Sequence, residues 1–153
     1  MVFDFISKEI LTVVIAAMPV AELRLAIPLA LWWGITPLTV YILAVMGNFL
    51  PVIPLLLFWR YLAHHLSYRF AFFRNGLEWL LERTQRKHQK KFDAFKSIAL
   101  FILVAIPLPM TGAWTGTVAA FVFGVSLPRA ALMIGLGILT SGAVMLLGSG
   151  LFL

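Results

Sequence analysis

Pro19-Val20-Ala21-Glu22-Leu23-Arg24-Leu25-Ala26-Ile27-Pro28 sets a glutamate and an arginine between two prolines, inside a run from Ile10 to Tyr41 with no other charge. Ionisable groups in hydrocarbon cost several kcal/mol unless they are paired or face a wet cavity. The stretch therefore reads as the working site of a small membrane protein.

Composition agrees. The chain has 153 residues, 62% hydrophobic and 12% charged, whereas soluble domains are about a quarter charged. Without cysteine there is no disulfide and no thiolate metal site. Of the 12 Lys and Arg residues, only Lys8, Arg24 and Arg129 lie outside Arg60–Lys96. One basic loop between apolar blocks is the positive-inside pattern, so the net charge of +6 argues for a cytoplasmic loop rather than for nucleic acid. Asp4, Lys8 and Glu9 do not resemble the basic start of a signal peptide, so the first apolar segment is expected to be retained.

Four apolar blocks follow. The first, Ile10–Ile35, is broken by Pro19, the charged pair and Pro28. The second, Leu38–Leu62, is long enough for a hydrocarbon core of ~30 Å, with Gly47, Asn48, Pro51 and Pro54 predicting a kink. The third, Ile98–Phe123, breaks at Pro107-Leu108-Pro109 and at the polar run Thr111–Thr117. The fourth, Ala130–Leu153, is uninterrupted and rich in small residues.

Blocks one and three each hold a proline-flanked polar centre after a short apolar arm. About ten helical residues reach only ~15 Å, half the bilayer, which suits a re-entrant hairpin. Pro19, Ala30, Gly34 and Thr36 match Pro109, Ala120, Gly124 and Ser126 at an offset of 90. The expected fold is an all-α integral membrane protein of two inverted repeats. Residues 1–62 form the first repeat (hairpin 10–35, span 38–62), and residues 98–153 the second (hairpin 98–127, span 130–153). Broken helices in inverted repeats are typical of secondary transporters. The alternative is four ordinary spanning helices with both termini inside. Between the halves, residues 63–97 form a basic cytoplasmic segment. Leu77, Leu80, Leu81 and Thr84 are helically spaced there, beside Phe70, Phe72, Phe73 and Trp79, which reads as an interfacial helix on anionic lipid.

Glu22 and Arg24 are two residues apart and would not face each other on a helix, but in a turn between half-helices both can enter one cavity. Glu22 is the candidate proton carrier, with burial and the neighbouring Arg24 pulling its proton affinity in opposite directions. Arg24 is the candidate anion anchor, since guanidinium binds phosphate bidentately. Thr111, Gly112, Trp114 and Thr115 offer hydroxyls, backbone amides and a cavity wall, and Asn48 either completes the cavity or caps a broken half-helix. A purely structural charge pair is the competing reading. Gly135, Gly137, Ser141 and Gly142 favour close helix contact, within one chain or between two. His64, His65 and His88 lack partners at metal-ligand spacing, and neither a nucleophile–base set nor paired carboxylates occur. The expectation is a protein without cofactor, metal or enzymatic activity.

The charged stretch, then Gly47-Asn48-Phe49-Leu50-Pro51, then Pro107-Leu108-Pro109-Met110-Thr111-Gly112-Ala113-Trp114-Thr115-Gly116, resembles the small multi-drug export protein family across nearly the whole chain. That family looks like a distant branch of the DedA/VTT superfamily. The resemblance implies two re-entrant hairpins, each followed by a span, and proton-coupled movement of lipids such as undecaprenyl phosphate. Glu22 falls where the superfamily has an acidic residue. Val104 and Met110 stand where typical members carry second-hairpin arginines, and Arg24 would supply that charge from the first hairpin.

The expected function is a transporter or flippase of an amphipathic substrate, above all a polyprenyl phosphate or other anionic lipid, in the bacterial cytoplasmic membrane. The alternatives are a proton-coupled exporter of cationic small molecules and a non-transport assembly protein. Expected partners are membrane lipids, the amphipathic substrate and, because one copy offers little room for a lipid head, a second copy in a homodimer.

Overall fold

The computed structural model describes residues 7–66, 89–108 and 111–150, and all regular structure among them is helical. The interfacial helix expected around Leu77–Thr84 lies outside the described residues. Helices α1 (Lys8–Ala17) and α2 (Glu22–Trp32) form a first hairpin, followed by α3 (Pro37–Phe49) and α4 (Val52–Leu66). Helices α5 (Gln89–Ala105) and α6 (Ala113–Val122) form a second hairpin, followed by α7 (Leu127–Gly150). Pro37–Leu62 and Leu127–Ser149 are long and apolar enough to cross a membrane, each with mean hydropathy 2.1.

Local chemistry explains the element ends. Ser7 caps α1 by accepting the Ile10 N–H, and Pro37 opens α3 at a position that needs no donor. Pro51 cannot donate to Gly47, and Pro54 cannot donate to Leu50. The helix is accordingly interrupted at Leu50-Pro51. Helix α5 begins at Gln89 rather than at Ile98. No Gly or Pro interrupts Gln89–Ala105, so the step in hydropathy at Ile98 marks a change of surroundings and not a helix end. Lys8 Nζ donates to the Trp33 carbonyl at 3.0 Å, which brings the two ends of the first hairpin together.

The halves repeat each other closely. Both hairpins close into the following helix through the same turn: Ile35 N–H bonds to Ala30 O, and Val125 N–H bonds to Ala120 O. At its apex stand Gly34 (φ 83°) and Gly124 (φ 65°), in the left-handed region that glycine enters freely. From 22 to 52, every buried residue has a buried counterpart 90 positions on, as with Ala26 and Gly116 or Ala44 and Ile134. In the first arms the register changes to 88: Thr12 and Ala16 correspond to Leu100 and Val104. That register sets Pro19 against Pro107 and corrects the match to Pro109. The second hairpin tip is longer, a difference that apolar spacing alone does not reveal.

Small residues bring the helices together. A Cβ on Gly47 would stand 2.5 Å from the Val13 carbonyl oxygen, and one on the equivalent Gly137 would stand 2.7 Å from Val104 Cβ. Gly135 meets Phe49, and Gly142 meets Tyr41, whose hydroxyl donates to Leu139 O at 3.0 Å. These glycines therefore serve contacts within one chain. The outside is apolar: Leu38, Ile42 and Met46 form an exposed stripe on α3 that continues to Leu50 just past its end, as do Ile98 and Ile102 on α5 with Ile106 just beyond. Such a surface is unusual for a protein in water and suits lipid.

Candidate functional site

The two hairpin tips meet, and Glu22 is at the junction. Its backbone is left-handed (φ 46°), rare outside glycine and costing about 1–3 kcal/mol, a feature that clusters at functional sites. Its side chain is turned inward, leaving the residue 8% exposed. The carboxylate accepts the main-chain N–H of Trp114 and rests directly on Gly112, where any Cβ would overlap it. Gly112 is the N-cap of α6 and brings no capping side chain. Glu22 thus caps α6 from the other hairpin, meeting both the free N–H groups and the positive end of the helix dipole.

Two further hydrogen bonds tie the tips reciprocally. Arg24 Nη2 donates to Thr111 O at 2.8 Å, and Trp114 Nε1 donates to Ala17 O at 3.1 Å. Arg24 and Trp114 occupy equivalent positions of the two repeats, 90 residues apart, so each hairpin reaches across to a carbonyl of the other. Glu22 and Arg24 do not pair with each other. An ion pair elsewhere joins Lys96 and Asp93, at 4.0 Å.

Beside this junction is a cavity of about 700 Å³. Glu22, Arg24, Thr111, Trp114 and Thr115 line it, with Pro19, Val20, Thr117 and Val118 from the same tips and Leu55, Phe58 and Trp59 from α4. Most of the wall is apolar or aromatic, and the guanidinium supplies its cation. Of the residues expected at a site, Thr111 spends its hydroxyl on its own loop: its one O–H is shared between the carbonyls of Ile106 and Leu108, both at 2.8 Å, and its oxygen accepts the Leu108 N–H. Gly112 contributes by making room for the Glu22 carboxylate. Asn48 is not brought to the cavity. It is buried on α3 (2% exposed), and its Oδ1 has no hydrogen-bond partner among the described residues.

The α4 wall was not anticipated. Trp59 Nε1 donates to Thr117 Oγ1 at 3.3 Å, and that hydroxyl donates to Trp114 O at 2.7 Å. A tryptophan near the end of an apolar block reads by default as an interfacial anchor. Only the partner hydroxyl, in the other half of the chain, distinguishes this one.

A family model described as "Putative small multi-drug export protein" matches residues 22–144. The chain belongs to this family. The match to the export family begins at Glu22 itself and takes in both hairpin tips and α4, so the whole junction except the α1 end falls within it. The family's description points to an export role, and the two long apolar helices suit a membrane protein. No curated protein and no solved structure matches the chain.

Proposed function

We propose that the chain carries an amphipathic substrate with an anionic head group, such as a polyprenyl phosphate, across the bacterial cytoplasmic membrane, and that Glu22 exchanges a proton in the cycle. One observation carries this reading: the two charges of the junction are satisfied differently. Glu22 is held by the amino end of α6, whereas Arg24 has one nitrogen on a carbonyl and the rest of its guanidinium beside an aromatic-lined cavity. The cavity is therefore set up to receive an anion against Arg24 while an apolar tail stays among Leu55, Phe58 and lipid. Protonation of Glu22 would weaken its hold on the α6 end, which couples proton binding to the contact between the hairpins.

The matching burial patterns and turns of the halves support reading them as inverted repeats of a re-entrant hairpin and a span, as in the DedA/VTT superfamily, with the basic segment inside. Membrane lipids, and a second copy enlarging the head-group space, are the partners this reading implies. Nothing in it calls for enzymatic chemistry.

A second reading, export of a cationic drug, draws on the aromatic wall of Phe58, Trp59 and Trp114, which suits cation–π contact. Arg24 opposes it by repulsion at close range.

Transbilayer movement of a fluorescent polyprenyl phosphate and of a cationic dye, measured in proteoliposomes with and without a pH gradient, separates the two. Arg24→Ala should slow the lipid by roughly ten- to a hundredfold, as expected for about 1.5–3 kcal/mol of charged hydrogen bonding. Glu22→Gln should abolish the response to the gradient. Lipid movement unchanged by both substitutions, or dye movement alone, would overturn the anionic-lipid reading.

A further inference from the structure

A second cavity, of about 410 Å³, lies along the same α4–α6 groove, between the central cavity and the turn that precedes α7. Leu56, Arg60, Phe121 and Leu127 help to line it, and among the described residues Trp59 alone lines both cavities. We propose that this second cavity is a vestibule that takes the anionic group of an amphiphile against Arg60, and that the Trp59 side chain is the bar between it and the central cavity. The inference rests on the transport reading above and adds a second binding station to it.

Three observations carry it. First, Arg60 is exposed at the vestibule and pairs with no acidic group among the described residues, while the neighbouring wall is aromatic and aliphatic. A cation over an apolar wall selects an anionic amphiphile. Second, Trp59 is held from both sides. Its indole N–H bonds to Thr117 toward the central cavity, and its ring stacks on Phe121 toward the vestibule, with centroids 6.0 Å apart and planes at 23°. Phe58 adds an edge-on contact, with centroids 5.4 Å apart, but a ring fixed by side-chain contacts of this kind can swing aside when the hydrogen bond or the stack is lost, without unfolding a helix.

Third, the repeat supplies an internal comparison. α2 packs against α7 as α6 packs against α4. Where Trp59 and Thr117 stand in one groove, Ser149 and Ile27 stand in the other, 90 residues away in the repeat register. Ile27 has no acceptor, and serine is too small to close a groove. Among the described residues the equivalent pair carries no such bar, which makes it a specialised feature of the Arg60 side rather than packing shared by both halves.

The absence of native cysteine makes the test direct. Val118→Cys places a reporter on the central cavity, and its labelling rate is read with membrane-impermeant thiol reagents, one anionic and one cationic, added to vesicles from the face that bears Arg60. Trp59→Ala should accelerate labelling by about tenfold or more, and Thr117→Val, which removes the accepting hydroxyl, by several-fold. Trp59→Phe keeps the stack without the N–H and should fall between native and Trp59→Ala. Arg60→Gln should slow the anionic reagent while leaving the cationic one unslowed. Equal rates in the native protein and in folded Thr117→Val and Trp59→Phe would overturn the bar, even if Trp59→Ala failed to fold. An equal effect of Arg60→Gln on both reagents would overturn the anionic vestibule. Because labelling reports access and not flux, failure of either part is distinguishable from failure of the lipid-transport reading.

Discussion

Replacing Gly112 with alanine tests the contact on which the junction depends. The backbone there is extended, so alanine meets no conformational penalty, but its Cβ would occupy the space of the Glu22 carboxylate. Two costs follow. Alanine is a poorer N-cap than glycine by about 1 kcal/mol. Displacing the carboxylate from the Trp114 N–H forfeits a charged hydrogen bond of about 2 kcal/mol. Gly112→Ala should therefore cost about 3 kcal/mol in the native background. In a Glu22→Ala background the carboxylate is already gone, and the same change should cost about 1 kcal/mol. A double-mutant cycle by equilibrium unfolding in mixed micelles should thus return a coupling of about 2 kcal/mol. Costs that add to within about 0.5 kcal/mol would refute the cross-hairpin cap.

Other outcomes follow from single positions. Glu22→Gly should be more stable than Glu22→Ala by about 1 kcal/mol in the same unfolding assay, the reverse of ordinary helix propensity, because glycine accepts the positive φ. Both glycine and alanine at this position should be inactive in transport. Gly47→Ala and Gly137→Ala should each lower stability by about 1–3 kcal/mol, with Gly47 the more costly because its neighbour is a backbone carbonyl. Gly148→Ala, facing open space, should be neutral or slightly stabilising by thermal melting. Lys8→Met should loosen the end of α2, seen as faster amide exchange at Trp33 and Gly34, since Lys8 holds the carbonyl beside them.

The all-helical layout and the two long apolar helices were legible because charges and prolines within apolar runs are expensive to misplace. Glu22 and Arg24 stood out for that reason, and Gly34 and Gly124 stood out as a match at the repeat offset, though their place in the hairpin-closing turns shows only in the fold. The register of the first arms was not legible. The relation of Pro19 to Pro107 shows only when burial is compared, since an extra length of loop leaves helical spacing intact on either side. Asn48 illustrates the opposite error. A lone amide in an apolar run looks like a ligand group, yet the fold buries it beside Gly47, away from the cavity. Trp59 was missed because an aromatic near the end of a span is ordinarily explained by the interface, and its hydroxyl partner is 58 positions away.

The crossed packing of the halves has a consequence for synthesis. Helix α4 rests on α6, and α2 rests partly on α7, so the first half cannot complete its contacts until the second has been made. A nascent chain that has reached Leu66 contains α1, α2 and α3, which pack on one another in the finished fold, but the face of α4 that rests on α6 has as yet no partner. It remains so until Val122 has emerged. The α4–α6 groove therefore waits on the second half of the chain, and the contacts of α7, the last helix made, can form only after that.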